Sequence, residues 1–201
     1  PVQSGSDRVL KRMARRYTAE DYIARTDALK AAKPGLTLSA DFIVGFPGET
    51  EDDFEQTLEL IRRVGFVAAF AFKYSPRPYT PALKLGDEVS EETKDDRLAR
   101  LFALVETQQQ AHLQSLVGKD LQVLVEGPSP GDTGRFAGRS ERNEIVHVIA
   151  PAGYDPTGEL VIVTIDEPYR HSLSGYMRGA EGATERGRRT RLSVVDGGGT
   201  A

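Results

Sequence analysis

Three short segments of this chain carry the residue types that could do chemistry: Gln3–Asp7, Gly45–Thr50 and Ser75–Thr80. The first, Gln-Ser-Gly-Ser-Asp, supplies an amide and two hydroxyls around a glycine, a set suited to hydrogen-bonding a nucleoside or a cofactor. The second, Gly-Phe-Pro-Gly-Glu-Thr, pairs flexible and stiff backbone with one carboxylate, Glu49. It reads equally as a strand-to-helix turn, in which Pro47 stiffens the loop and Thr50 caps the helix. It also reads as a place where Gly45 and Gly48 let backbone approach a ligand while Glu49 accepts its hydrogen bonds. The third, Ser-Pro-Arg-Pro-Tyr-Thr, offers Arg77, a cation that could meet a phosphate or carboxylate or could brace the Pro-rich loop through an ion pair.

Other chemistries are absent from these residues. With no cysteine, the chain has no disulfide, no thiolate nucleophile and no cysteine-ligated zinc or iron–sulfur cluster of its own. His112, His147 and His171 are far apart in sequence and lack metal-ligand spacing. A net charge of −4 excludes the overall basic signature of a strong nucleic-acid binder, so RNA contact would have to come from local patches. Nothing has the run of about 20 apolar residues that spans a bilayer, and the N-terminus lacks a signal-peptide layout. The expectation is a cytoplasmic monomer without membrane contact.

The elements that would position these segments follow from periodicity. A helix is predicted from Asp7 to about Arg15. It would place Arg8, Lys11, Arg12, Arg15 and Arg16 on one face, either as a cationic stripe for an RNA backbone or as a solvated surface. Thr18 should cap a second helix that stops before Pro34-Gly35. Leu36–Val44 and Val67–Tyr74 read as buried strands, with a helix capped by Thr50 between them and a long helix capped by Ser90 after them. Helices alternating with strands over short links imply parallel strands, whose carboxyl-end loops form the active face.

Character changes at Gly118. Five short strands are expected at 121–126, 135–140, 144–150, 159–166 and 172–178, with Gly, Pro and Asp turns between them. They suggest a small OB-like β-barrel. On it, Arg135, Arg139 and Arg142 with Phe136 could serve RNA, while His147 reads as a packed strand residue. The Gly- and Arg-rich stretch 181–201 is expected to be a flexible tail.

Taken together, Pro1-Val2-Gln3-Ser4-Gly5-Ser6-Asp7, Asp41-Phe42-Ile43-Val44-Gly45-Phe46-Pro47-Gly48-Glu49-Thr50 and Tyr74-Ser75-Pro76-Arg77-Pro78 resemble, in order and spacing, signatures of the radical-SAM methylthiotransferases. Gly138-Arg139-Ser140, Val146-His147 and Ser172-Leu173-Ser174-Gly175 are similar to the TRAM module of that family. Gln3-Ser4-Gly5-Ser6 points to its tRNA-modifying, MiaB-type branch. The resemblance implies an α/β fold: the C-terminal half of a radical-SAM barrel over 1–117 and an RNA-binding TRAM barrel over 118–180. It implies S-adenosylmethionine and two [4Fe–4S] clusters whose six cysteines are absent here, so the remainder of such an enzyme is expected upstream of Pro1.

The implied reaction adds a methylthio group to C2 of N6-isopentenyladenosine at position 37, in the tRNA anticodon loop. The expected cofactor-side residues are Gln3, Ser4, Ser6, Gly45, Pro47 and Glu49. The expected RNA contacts are Arg8, Lys11, Arg12, Arg15, Arg77, Arg135 and Arg139. A catalytically silent tRNA-binding module stays open as an alternative, as does an enzyme acting on threonylcarbamoyladenosine tRNA or a ribosomal protein. Two departures from the family pattern stand out: Tyr79 replaces a usual glycine, and Ala14 and Arg16 replace the usual Asn and Gly before Tyr17.

Overall fold

In the structure, a computed structural model, residues 1–86, 88–131 and 134–178 are described; the expected tail at 181–201 lies outside them. They form two compact units that divide after His112.

In the first unit the order is α1 (Asp7–Arg12), α2 (Ala19–Ala32), β1 (Ser39–Val44), α3 (Glu51–Val64), β2 (Ala68–Lys73), a 3₁₀ turn (Pro81–Lys84) and α4 (Glu91–Ser115), whose last residues belong to the second unit. β1 and β2 pair in parallel, with Ser39 opposite Ala68 and Val44 opposite Lys73. The N-terminal segment joins β1 through a parallel bridge between Gln3 and Phe42. Helix and strand starts match local signals. Thr18 and Thr50 each complete a capping box with the aspartate three residues on, Asp21 and Asp53, and Gly65 ends α3 in the left-handed conformation. The core between sheet and helices is built on Val2, Phe42, Val44, Phe54, Ile61, Phe66 and Leu101.

Two expectations fail here. The helix from Asp7 stops at Arg12, because Ala14 turns to φ +57° and Arg15 N–H bonds back to the Leu10 carbonyl. The five cations therefore do not share one helical face. Nor is β2 buried on both sides, since Phe70 and Phe72 are 62% and 58% exposed. Among the described residues β2 has only β1 as a strand neighbour, and these rings project from the uncovered face.

The second unit comprises β3 (Asp120–Pro128), β4 (Phe136–Ser140), β5 (Ile145–Ile149), β6 (Leu160–Pro168) and β7 (Ser172–Met177), closed into a barrel in the order β3-β4-β5-β7-β6. All pairs are antiparallel except β5 with β7. Alternation puts Val123, Val125, Val146, Val148, Val163, Ile165 and Leu173 inside. The unit begins five residues before Gly118, since Leu113 and Leu116 join this core. Closure depends on close approach at two glycines. A Cβ on Gly138 would lie 2.4 Å from the Leu124 carbonyl oxygen, and one on Gly175 the same distance from that of Thr164. Each sits beside a register shift, β3 against β4 and β6 against β7.

Candidate functional site

Parallel pairing carries the ends of the N-terminal segment, β1 and β2 to the same edge, so the three chemistry-bearing loops share the carboxyl end of the sheet. The first two loops are tied to α3 by a buried polar network. Ser4 and Ser6 are almost wholly buried. Ser4 Oγ lies 3.3 Å from Thr57 Oγ1, which also accepts the Gly5 N–H at 2.9 Å. Gly5 is required there: a Cβ would fall 2.4 Å from the Gln56 carbonyl oxygen.

Asp53 is the hub of this network. Its carboxylate accepts from Ser6 Oγ at 2.6 Å, from Arg8 Nε at 3.2 Å, and from the N–H and hydroxyl of Thr50 at 2.8 and 2.7 Å. Arg8 Nη2 also pairs with Asp53 and donates to the Gly48 carbonyl at 2.5 Å. Burial works to raise the Asp53 carboxyl. The hydrogen bonds from Arg8, Ser6 and Thr50 outweigh it, so the group titrates far below the ordinary carboxylate range.

The second loop is held from the other side by α4. Gly45, Phe46, Pro47 and Glu49 are buried. Glu49 Oε2 accepts the Gly45 N–H at 2.6 Å and Arg97 Nη1 at 2.9 Å; Arg97 also donates to the Glu49 carbonyl. Arg97 and Glu49 are a buried ion pair. Burial pushes the Glu49 carboxyl up, against the Gly45 and Arg97 contacts. The Lys94 stem lies across Gly45, 2.3 Å from where a Cβ would stand, with its ammonium over the Tyr74 ring.

Several predicted site residues are thus committed to the scaffold. Ser4, Ser6 and Glu49 spend their side chains on Thr57, Asp53, Gly45 and Arg97. Gln3 differs. It is 7% exposed with φ +73°, and no described residue hydrogen-bonds its side-chain amide. A left-handed backbone thus holds an otherwise buried residue so that its amide, bonded by no described residue, stays open at a strand end.

Of the expected cations, Arg8 turns inward to Asp53, and the Arg12 guanidinium packs under Gly48. Lys11, Arg15 and Arg16 are exposed and line a cleft of about 300 Å³ with Asp7, Tyr17, Thr18 and Asp21. The two acids there are engaged at the start of α2, Asp7 by Ala19 N–H and Asp21 by Thr18 N–H. Arg77 is exposed and finds no ion-pair partner among the described residues, which leaves the bracing role without support. On the barrel, Arg139 is half exposed and bonds Asn143 and Glu126, while Arg135 donates to the Tyr169 hydroxyl. Among the described residues, no group of three or more His, Cys, Asp or Glu is placed to hold a metal ion, and no helix is long and apolar enough to cross a membrane.

Sequence reasoning missed Asp53, Thr57, Lys94 and Arg97. Asp53 stood in the first-turn acids of α3, yet its inward orientation depends on Arg8, 45 residues away. Arg97 gave no local signal at all.

The model of the Radical SAM superfamily matches residues 1–61. A tRNA-2-methylthio-N(6)-dimethylallyladenosine synthase of Sorangium cellulosum is 54% identical over 194 residues, 94% of this chain and 39% of that protein. This chain is a relative of the radical-SAM tRNA methylthiotransferases. Proteins of the same name from Bordetella petrii and Chromohalobacter salexigens are 48% and 46% identical, covering 92% and 87% of the chain. The chain spans about two fifths of the length of these methylthiotransferases. At such identity the match runs through both units, so the sheet-end loops and the closed barrel belong to one methylthiotransferase-like sequence.

Proposed function

We propose that this chain serves in a tRNA-2-methylthio-N6-dimethylallyladenosine synthase, supplying the substrate side of the reaction and RNA binding. The enzyme would place a methylthio group on C2 of N6-isopentenyladenosine at position 37 of the anticodon loop. The observation that carries this reading is the 54% identity over 94% of the chain, extending from the loop edge of the sheet into the barrel. The first unit is read as the C-terminal half of a radical-SAM barrel and the second as a TRAM module, in a cytoplasmic, monomeric enzyme.

The chain's residues do not fit an iron–sulfur cluster, since they include no cysteine. S-adenosylmethionine fits better, as the Gln3 amide is open and bonded by no described residue at the loop edge. When bound, that cofactor would supply the radical chemistry. Gln3 would hydrogen-bond it or the nucleoside, beside a floor made by Gly45 and Pro47. Ser4, Ser6 and Glu49 would fix that floor through Thr57, Asp53 and Arg97, a positioning role. Lys11, Arg15 and Arg77 on one unit, with Arg135 and Arg139 on the other, would meet tRNA phosphates; Arg8 and Arg12 would support them from beneath. The absence of cysteine favours a second reading in which these residues bind tRNA without catalysis.

Deleting the encoding gene and measuring tRNA nucleosides by mass spectrometry tests the assignment. The expected result is loss of 2-methylthio-N6-isopentenyladenosine with accumulation of its unthiolated precursor; an unchanged nucleoside profile overturns it.

A further inference from the structure

The barrel carries one cluster that its folding does not explain. Four elements converge on it. Ser129, 6% exposed, closes the β3–β4 loop by donating its N–H to the Arg135 carbonyl at 2.9 Å, and its Oγ lies 2.9 Å from His147 Nδ1 on β5. The His147 ring meets the Tyr169 ring edge-to-face at 5.9 Å between centroids. Arg135 Nη1, just before β4, donates to the Tyr169 hydroxyl at 3.2 Å. Tyr169 opens the tight turn into β7, with its N–H on the Ser172 carbonyl, and that turn exposes Arg170 and His171.

The composition is unusual for this chain. The protein is net negative and has three histidines, yet two of them join two arginines and a tyrosine here. The rings are only half buried, and they belong to none of the apolar residues that fill the barrel. The His147 edge, tethered by a buried serine, and the Arg135 guanidinium hold the Tyr169 ring in place as a pre-organised stacking surface. Cations beside half-exposed rings suit a planar base carrying a phosphate.

We infer that Tyr169, His147 and Arg135 form a docking site for one nucleotide of single-stranded RNA, the base on the Tyr169 ring, which His147 holds in place, and the phosphate at Arg135 and Arg170. This rests on the RNA-binding reading above and gives it a location.

The test uses the whole chain and a fluorescently labelled anticodon stem-loop, followed by anisotropy across salt concentrations. Replacement Tyr169→Ala should weaken binding roughly tenfold, within the range of one lost base–aromatic stack, while Tyr169→Phe, which keeps the ring, should stay within about twofold. Arg135→Gln should weaken binding and lower the salt slope by about one. If Tyr169→Ala stays folded by circular dichroism and binds like the parent, the site is wrong and RNA binding stands. If the parent chain shows no salt-dependent binding, the RNA-binding reading falls and the site with it. Should Tyr169→Ala fail to fold, photocrosslinking the parent chain to 4-thiouridine-substituted RNA decides. Adducts on peptides containing Tyr169 or His147 support the site, and adducts confined to other peptides overturn it.

Discussion

The two units solve the same problem, holding loops in place, by different means. The barrel closes its strands on one another, so no edge among β3–β7 is left unpaired, and its shape is fixed by backbone hydrogen bonds and two glycine contacts. Among the described residues the first unit has only β1, β2 and a bridge at Gln3, and it fixes its loops with buried charge instead. Asp53 gathers Ser6, Arg8 and Thr50, and Arg97 locks Glu49. A ladder tolerates changes of charge and is sensitive to added volume. A charged hub is sensitive to lost charge, and at Gly5, where a Cβ would meet the Gln56 carbonyl, to added volume as well.

The largest expected effect separates the units by pH. The Asp53 carboxyl lies below its unfolded value, so its contribution is fully present above the unfolded pKa near 4 and is lost as pH falls from there toward the folded value. Replacement Asp53→Ala should cost the first unit about 3 kcal/mol at pH 7, because it strips partners from Arg8, Ser6 and Thr50. The deficit should shrink below pH 4. Amide exchange resolved by unit reads this directly; an equal loss of protection in the barrel would break the contrast.

Added volume should act next, and in the opposite unit. Gly138→Ala puts a methyl group against backbone that cannot rotate away, and should cost about 2–3 kcal/mol. Gly65→Ala, where a Cβ meets nothing within 4 Å, should cost about 1–2 kcal/mol from its left-handed backbone alone. Thermal melts of the two variants should rank them in that order; the reverse order would mean that the barrel can breathe at Gly138.

The smallest effect on stability belongs to the uncovered sheet face. Replacing Phe70 and Phe72 by Thr should shift folding free energy by no more than about 0.5 kcal/mol per site. The same change should reduce self-association in sedimentation at high concentration, since two exposed rings on an edge strand invite pairing.

The sequence was legible wherever one signal was strong and local. Thr18 and Thr50 start helices because the caps need only three following residues, and the five barrel strands were readable from their alternation and their turns. The α1 boundary was missed because Ala14 takes a left-handed conformation that its side chain does not favour, and Tyr79 does the same at φ +66°. Both stand where the resembled family usually has Asn or Gly, so the departures were visible while their backbone consequence was not. Within the site, residue types were legible and orientations were not. Ser6 read as a ligand contact and proves to bind Asp53, a partner 47 residues away. His147 read as a packed strand residue and is one, but its partners Ser129 and Tyr169 meet it only when the barrel closes, so the sequence did not name them.

One feature of that closure sets an order in time. β7, the last strand of the barrel, inserts between β5 and β6, and among the described residues no other strand joins those two. A growing polypeptide that has reached Arg170 already holds four of the five strands and still has an open cylinder. The barrel can close only after Ser172–Met177 emerges from the ribosome, so a stop codon before Ser172 would forfeit the whole cylinder and not merely its final stave.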